Sequence, residues 1–192
     1  SILQRRSGLT VIAVLSALIL ATVLAPFLIY YLGRPAFSIL AIAPGAGFFW
    51  VLSQLTNSTF NDGNSLQYNL EWMPDANLNI TLRMDGLSAL FSLIILGIGA
   101  LVLLYCWGYF DHNRRRLAMF GAQMTAFATA MFGLVVSDNI LMMYVFWEIT
   151  SLLSFLLVSY YGERASSRHA AQQALMITTL GGLAMLMGII LL

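Results

Sequence analysis

The stretch GLSALFSLIILGIGALVLLYCWGYF, residues 86–110, runs without a single charged side chain. A helix rises about 1.5 Å per residue, so a run of this length spans the roughly 30 Å hydrocarbon core of a bilayer. Working outward, uncharged runs also occupy 7–33, 35–61, 117–137 and 170–192, and 139–162 would join them but for Glu148. The sequence therefore predicts six transmembrane helices, near 9–31, 36–55, 87–110, 118–136, 140–160 and 170–192. The fold class is an all-α membrane protein. Composition agrees, since 9% of the residues are charged and 60% hydrophobic, whereas a soluble domain carries about 25% charged residues.

The same composition excludes several function classes. Nine basic residues against eight acidic ones leave a net charge of +1, so there is no broad positive field to hold nucleic acid. The lone Cys106 cannot form an internal disulfide, and with His112 and His169 it falls short of a structural zinc ligand set. Those two histidines lie outside or at the edge of the spans, which argues against a haem anchored between facing helices. No metal and no cofactor is expected.

Arg5 and Arg6 precede the first apolar run, but that run is too long for a cleavable signal peptide and no small-residue cleavage site follows, so it stays as a span. The last residues, 188–192, are apolar with no cap or polar flank, which reads as the first part of a longer protein. Three segments result: helices one and two in 1–55, a loop in 56–85, and helices three to six in 86–192. With six spans, one side collects Arg34, Arg114, Arg115, Arg116, Arg164 and Arg168, the other Arg5, Arg6 and Arg83. The basic bias makes the first side cytoplasmic and puts the N-terminus and the 56–85 loop outside.

In that outer loop Leu66, Tyr68, Leu70 and Trp72 alternate with polar residues, and Leu78, Ile80, Leu82 and Met84 do so again. A period of two is the mark of a half-buried strand. Pro74, Asp75 and Asn77 between the runs suit a turn, so a β-hairpin on the outer surface is predicted. Asp85 and Gly86 read as a strand-to-helix junction, the acid favouring the helix N-terminus and the glycine permitting the turn. The glycosylation-type triplets at 57–59 and 79–81 are assigned no function.

Glu148 is the anomaly. At about 1.5 Å per residue it lies roughly 12 Å into the fifth helix, near the middle of the hydrocarbon. An acidic side chain there costs about 2.5–3.5 kcal/mol on insertion scales and is tolerated facing a cavity or a partner, so a proton or ion site is the leading reading. The alternative is a neutral acid hydrogen-bonded to a neighbouring helix. Tyr144 and Ser151 share its helix face at i−4 and i+3, and Thr150 and Ser154 form a second polar pair. Such hydroxyls can organise water, or bond their own backbone. In the sixth helix Gln172, Gln173, Thr178 and Thr179 can continue a hydrated path, and His169 at its inner end can relay a proton or simply be solvated. Gln123, Thr125 and Thr129 read as helix-packing residues, as do Gly97, Gly99, Gly181, Gly182 and Gly188.

The run Phe146-Trp147-Glu148-Ile149-Thr150-Ser151-Leu152-Leu153-Ser154-Phe155-Leu156-Leu157 resembles a helix of the antiporter-like membrane subunits shared by Mrp-type multisubunit sodium/proton antiporters, respiratory complex I and membrane-bound hydrogenases. Leu82-Arg83-Met84-Asp85-Gly86-Leu87-Ser88-Ala89-Leu90-Phe91 resembles the family's approach to its third helix, and Thr178-Thr179-Leu180-Gly181-Gly182-Leu183-Ala184 its sixth. The Trp-Glu-x-Thr-Ser form and the Thr-x-Gly-Gly segment are most similar to the A subunits of the Mrp branch. From about residue 66 onward the resemblance covers the chain; the first two helices match in pattern alone.

The resemblance implies that Glu148 is the essential proton-relay acid; Tyr144, Ser151, His169, Gln173 and Thr179 are the candidate pathway residues from the reading of the helices above. It also implies a lysine partner on later helices; this chain contains no lysine, so these six helices would be the first part of a fourteen-helix antiporter-like unit. The family's outer hairpin and external N-terminus agree with the two readings reached above from alternation and arginine bias. The expected function is an ion-translocating subunit of a multisubunit sodium/proton antiporter in the cell membrane. It would be a secondary transporter and not an enzyme, with the other Mrp subunits as partners and protons and sodium ions as cargo. The alternatives are a proton-pumping subunit of a complex I-like or hydrogenase complex, and a non-transporting membrane scaffold.

Overall fold

The computed structural model describes residues 2–57, 60, 64–73, 78–109, 114–161 and 165–192. The sequence expectations at residues 58, 59, 74–77, 112 and 164, including the hairpin turn and one of the two histidines, lie outside them. Six long helices carry the chain: α1 (Ile2–Leu32), α2 (Ala36–Thr56), α3 (Gly86–Tyr109), α4 (Arg114–Val136), α5 (Ile140–Val158) and α6 (Ala165–Leu191). Two strands, β1 (Leu66–Met73) and β2 (Leu78–Met84), stand between α2 and α3. All six helices contain a segment long and apolar enough to cross a membrane, and the chain is a multi-pass membrane protein. Helices prevail because hydrocarbon supplies no hydrogen bonds, so each span must satisfy its own backbone.

The helix bounds depart from expectation where the flanks are polar. α1, α4 and α6 begin at 2, 114 and 165 instead of 9, 118 and 170, because arginine-bearing flanks favour helix well beyond the apolar stretch. His169 is consequently one turn inside α6 and does not open it. α5 is shorter than expected, since Ser159–Tyr161 tighten into a 3₁₀ turn. Between α1 and α2, Gly33 takes φ 75° and its N–H donates to the Ile29 carbonyl at 2.8 Å, the left-handed stop that glycine adopts without a Cβ clash.

α1 runs through the centre, packed along α4 and against β1; α2 pairs with α3, α5 with α4, and α6 with α5. One apolar cluster, including Val11, Leu18, Val51, Leu82, Met84 and Phe132, fills the hairpin end. A second, including Ala25, Ile29, Phe37, Leu103 and Leu117, fills the other end. Between them Thr129 Oγ1 lies 3.0 Å from Thr22 Oγ1 and 2.8 Å from the Thr125 carbonyl oxygen, so this threonine joins α4 to α1, as the packing reading expects. α5 and α6 form the exposed edge: in α5 only Thr150 is buried, and among the described side chains of α6 only Ala171 and Gly182.

The hairpin is antiparallel, with Leu66 opposite Met84, Tyr68 opposite Leu82 and Leu70 opposite Ile80, and a bulge after Leu70. Of the predicted apolar face, Leu66, Leu82 and Met84 are buried in the core, Tyr68 and Ile80 are half-buried, and Leu70, at the bulge, is exposed. Three contacts gather the adjoining ends of the helices around it. Gly8 of α1 lies so close to the Gln67 carbonyl that a Cβ would overlap the oxygen. The Asp138 N–H, at the α4–α5 corner, donates to the Thr81 carbonyl at 2.9 Å. Asp85 Oδ1 accepts from the Ser88 N–H at 2.8 Å and caps α3. Gly86 keeps a negative φ, so the freedom expected of it at this junction is not used; the cap alone makes the turn. The N-terminal end of α1, the hairpin and the α4–α5 corner therefore share one side of the membrane.

Gly8→Val drives a side chain into strand backbone that cannot swing aside, and overpacking of this kind costs about 1–3 kcal/mol; thermal unfolding in detergent should show a lowered midpoint. Asp85→Ala removes the α3 cap at a cost of about 1 kcal/mol. The Ser88 N–H holds the Asp85 carboxyl below the ordinary carboxylate range. Its contribution is thus present above that range and is lost as pH falls through the lowered value. The gap in melting temperature between wild type and Asp85→Ala should persist at neutral pH and close below about pH 4; a gap indifferent to acid overturns the assignment.

Candidate functional site

α5 is held at both ends. Asn139 caps it, its Oδ1 accepting from the Leu141 N–H at 2.9 Å and the Met142 N–H at 3.4 Å. At the far end the ring of Tyr160 stacks at a tilt on Phe120 of α4, centroids 4.9 Å apart. In between, Gly133 of α4 leaves room for the ring of Phe146, which draws the two helices together two residues before Glu148. Fixed in this way, Glu148 is the ninth residue of the 19 in α5, about 12 Å from its start and about 15 Å from its end.

The Glu148 carboxyl points at α6. Its Oε1 is buried and has no hydrogen-bond partner among the described residues. The bundle-holding hydrogen bond that the alternative reading requires is therefore not made by this atom. It faces Gly182, where an added Cβ would overlap Oε1. A buried acceptor left unpaired costs about 1–3 kcal/mol and calls for a reason, a functional one among them.

The neighbouring hydroxyls are engaged differently. Ser151 Oγ donates to the Trp147 carbonyl at 3.2 Å and Thr150 Oγ1 to the same carbonyl at 2.7 Å, the back-bonding that hydroxyls adopt in apolar surroundings. Tyr144 is half-buried one turn toward the N-terminal end of α5. His169, Gln173 and Thr179 are exposed on α6, and His169 lies about 20 Å along the helix from Gly182. The structure thus unites Glu148 with α6 at Gly182 and keeps His169 and Gln173 away from the carboxyl.

Gly182 is the residue that the sequence reading missed in this role. Gly181-Gly182 were both read as close-packing positions, together with Gly188, but a Cβ at Gly181 or Gly188 would meet nothing within 4 Å. Gly97 against Phe48 and Gly99 against Ala128 are close-packed as expected. Ser92, wholly buried in α3, and Gln123 of α4 also carry buried, unpartnered side-chain oxygens. The visible signal for Ser92 is a hydroxyl in an otherwise apolar helix.

A groove of about 590 Å³ between α2 and α3, lined by residues such as Ala41, Phe48, Leu93, Gly97 and Leu101, offers only apolar atoms and no ligand for an ion. Among the described residues no three His, Cys, Asp or Glu side chains come together to hold a metal.

Residues 72–120 match the family model of the N-terminus of NADH-ubiquinone oxidoreductase (complex I) chain 5, and residues 137–192 match that of the NADH:quinone oxidoreductase/Mrp antiporter transmembrane region. Together the two matches take in more than half of the chain, and the second contains Glu148 and Gly182. The chain belongs to the antiporter-like membrane subunit family. Within it, the Na(+)/H(+) antiporter subunits A1 of Staphylococcus aureus strains RF122 and JH9 are 48% identical over 134 residues, which is 70% of this chain. The chain spans 17% of the length of those relatives. A chain of the Mrp complex from Dietzia sp. DQ12-45-1b superposes with a TM-score of 0.78 at 28% identity, over 93% of this chain and 19% of that one. The membrane-bound sulfane sulfur reductase of an archaeal respiratory complex shares the fold, with a TM-score of 0.70 at 16% identity over 90% of this chain and 34% of that one.

Asn139→Ala removes the side-chain acceptor that starts the Glu148 helix of this family member. The loss is expected at about 1 kcal/mol and should appear as a lowered unfolding midpoint that Asn139→Asp largely restores.

Proposed function

We propose that the chain is an ion-translocating part of a multisubunit cation/proton antiporter, exchanging sodium for protons, and that Glu148 is its proton relay. One observation carries the reading: a carboxyl at the middle of a membrane helix with its Oε1 buried and unpaired, in the segment matched by the Mrp antiporter transmembrane family. The similarity to sodium/proton antiporter A1 subunits supports the cargo. Burial favours a neutral acid, and a neighbouring cation favours the carboxylate, so a group exposed alternately to both loads and releases a proton. The chain supplies no lysine, so the pairing cation belongs to another part of the antiporter unit or to a partner subunit.

Tyr144 and Ser151 flank the carboxyl on its own helix, and their oxygens can order water beside it. His169, Gln173 and Thr179 continue the route toward the inner face along α6. All three are exposed on α6; His169 and Gln173 lie toward the far side of the helix from Gly182, and Thr179 lies one turn from it. The excess of arginines at the α1–α2, α3–α4 and α5–α6 connections makes those ends cytoplasmic, with the hairpin and the N-terminus outside. The protein acts as a transporter subunit driven by an ion gradient, in the cell membrane and in company with the other subunits of an Mrp-type complex.

The match of 72–120 to a complex I chain favours one second reading, a proton-pumping subunit of a redox complex and hence a translocase. Co-purification separates the two, by small hydrophobic partners in one case and cofactor-bearing hydrophilic partners in the other.

The function is tested by sodium-dependent dissipation of a proton gradient in everted vesicles carrying the assembled complex. Glu148→Ala should abolish exchange at equal assembled protein, and Glu148→Asp should retain a part of it. Undiminished exchange in Glu148→Ala ends the relay assignment.

A further inference from the structure

We propose that Gly182 is the positioning residue for the Glu148 carboxyl: the side chain it lacks is the space in which Oε1 sits. The inference rests on the relay reading of Glu148 and adds to it a second helix and a stated geometry.

Four observations converge. A Cβ built on Gly182 would overlap Glu148 Oε1 and would also crowd its Cδ. Oε1 has no hydrogen-bond partner among the described residues, so packing and not bonding determines where it rests. In α6 the described side chains are exposed or half-buried apart from Ala171 and Gly182, which lie three helical turns apart on one face, the face laid against α5. The adjacent Gly181 and the later Gly188 would tolerate a Cβ in open space, so glycine is required by the contact at one position of the pair and not by α6 as a whole.

The kind of obstruction matters. At Gly8 the obstructing atom is backbone, which cannot yield. At Gly182 it is the tip of a flexible side chain, which can rotate away while both helices stay in place. A methyl group at 182 should therefore displace the carboxyl and spare the fold. A proton relay depends on distances of a few tenths of an ångström to the next donor or acceptor, and a misplacement of about 1 Å of a reacting group costs on the order of 100-fold in rate.

The test uses the assembled complex in everted vesicles, with exchange normalised to assembled protein. Gly182→Ala should accumulate as wild type does and lose exchange about 10- to 100-fold, while Gly181→Ala stays within about 2-fold of wild type. Glu148→Asp withdraws the carboxyl by one carbon–carbon bond, about 1.5 Å, and makes room for the added methyl. The double variant Gly182→Ala with Glu148→Asp should exchange faster than Gly182→Ala alone, a rescue that a general packing defect does not produce. Three results overturn the proposal: exchange in Gly182→Ala equal to wild type while Glu148→Gln is inactive, an equal loss in Gly181→Ala, or additive losses in the double variant. If Gly182→Ala fails to accumulate, recovery of its level by Glu148→Asp supports the contact and continued failure overturns it. Full exchange in Glu148→Gln is the separate result that removes the relay reading and this inference with it.

Discussion

Hydrocarbon offers a polar group nothing to bond to, and every part of this molecule answers to that condition. Backbone amides are satisfied inside six helices, and the one pair of strands is placed at the ends of the helices where water is available. Hydroxyls within the spans turn back on their own carbonyls, as Thr125, Thr150, Ser151 and Thr178 do, or join two helices, as Thr22 and Thr129 do. Against this background Glu148 Oε1, buried with no hydrogen-bond partner among the described residues, is the case that falls on an ionisable group. Ser92 Oγ and Gln123 Oε1 are buried and unpartnered among the described residues as well, but they belong to neutral groups, and a carboxyl left so at mid-membrane costs more.

The hairpin governs how that carboxyl is presented. It receives α1 at Gly8, α3 through the Asp85 cap, and the α4–α5 corner through the Thr81 carbonyl. The ion pair between Arg83 and Asp138, 3.9 Å apart and half-exposed at both ends, adds little, since solvent screens such pairs to about 0–1 kcal/mol. The backbone bond beside it and the burial of Leu82 do the holding. Because Asn139 begins α5 directly after the clamped residue, the depth of Glu148 in the membrane is set from the hairpin side by a short rigid strut. α6 then closes on it from the open edge of the bundle.

Much of this architecture is legible in the amino-acid sequence. Charge-free runs locate five helices and a run interrupted only by Glu148 locates the other, and a period of two locates both strands, because hydropathy and side-chain alternation are local properties carried by consecutive residues; the exposure of Leu70 at the bulge is not such a property. Helix ends are less legible. Arginine and serine mark the end of the hydrocarbon, not the end of the helix, so α1, α4 and α6 run past their expected limits. The junction at Asp85-Gly86 reads as a role for both residues, and only the acid has a part in it.

The sequence by itself determined that the chain crosses a membrane six times, that a hairpin sits between the second and third crossings, and that Glu148 lies at mid-depth. Each of these follows from length, rise per residue and the cost of charge in hydrocarbon. The tertiary structure alone decided what the carboxyl meets. Gly181 and Gly182 are indistinguishable as letters, and one residue along a helix is a rotation of about 100°. That rotation separates open space from contact with Glu148, and only the packing of α6 on α5 selects between them.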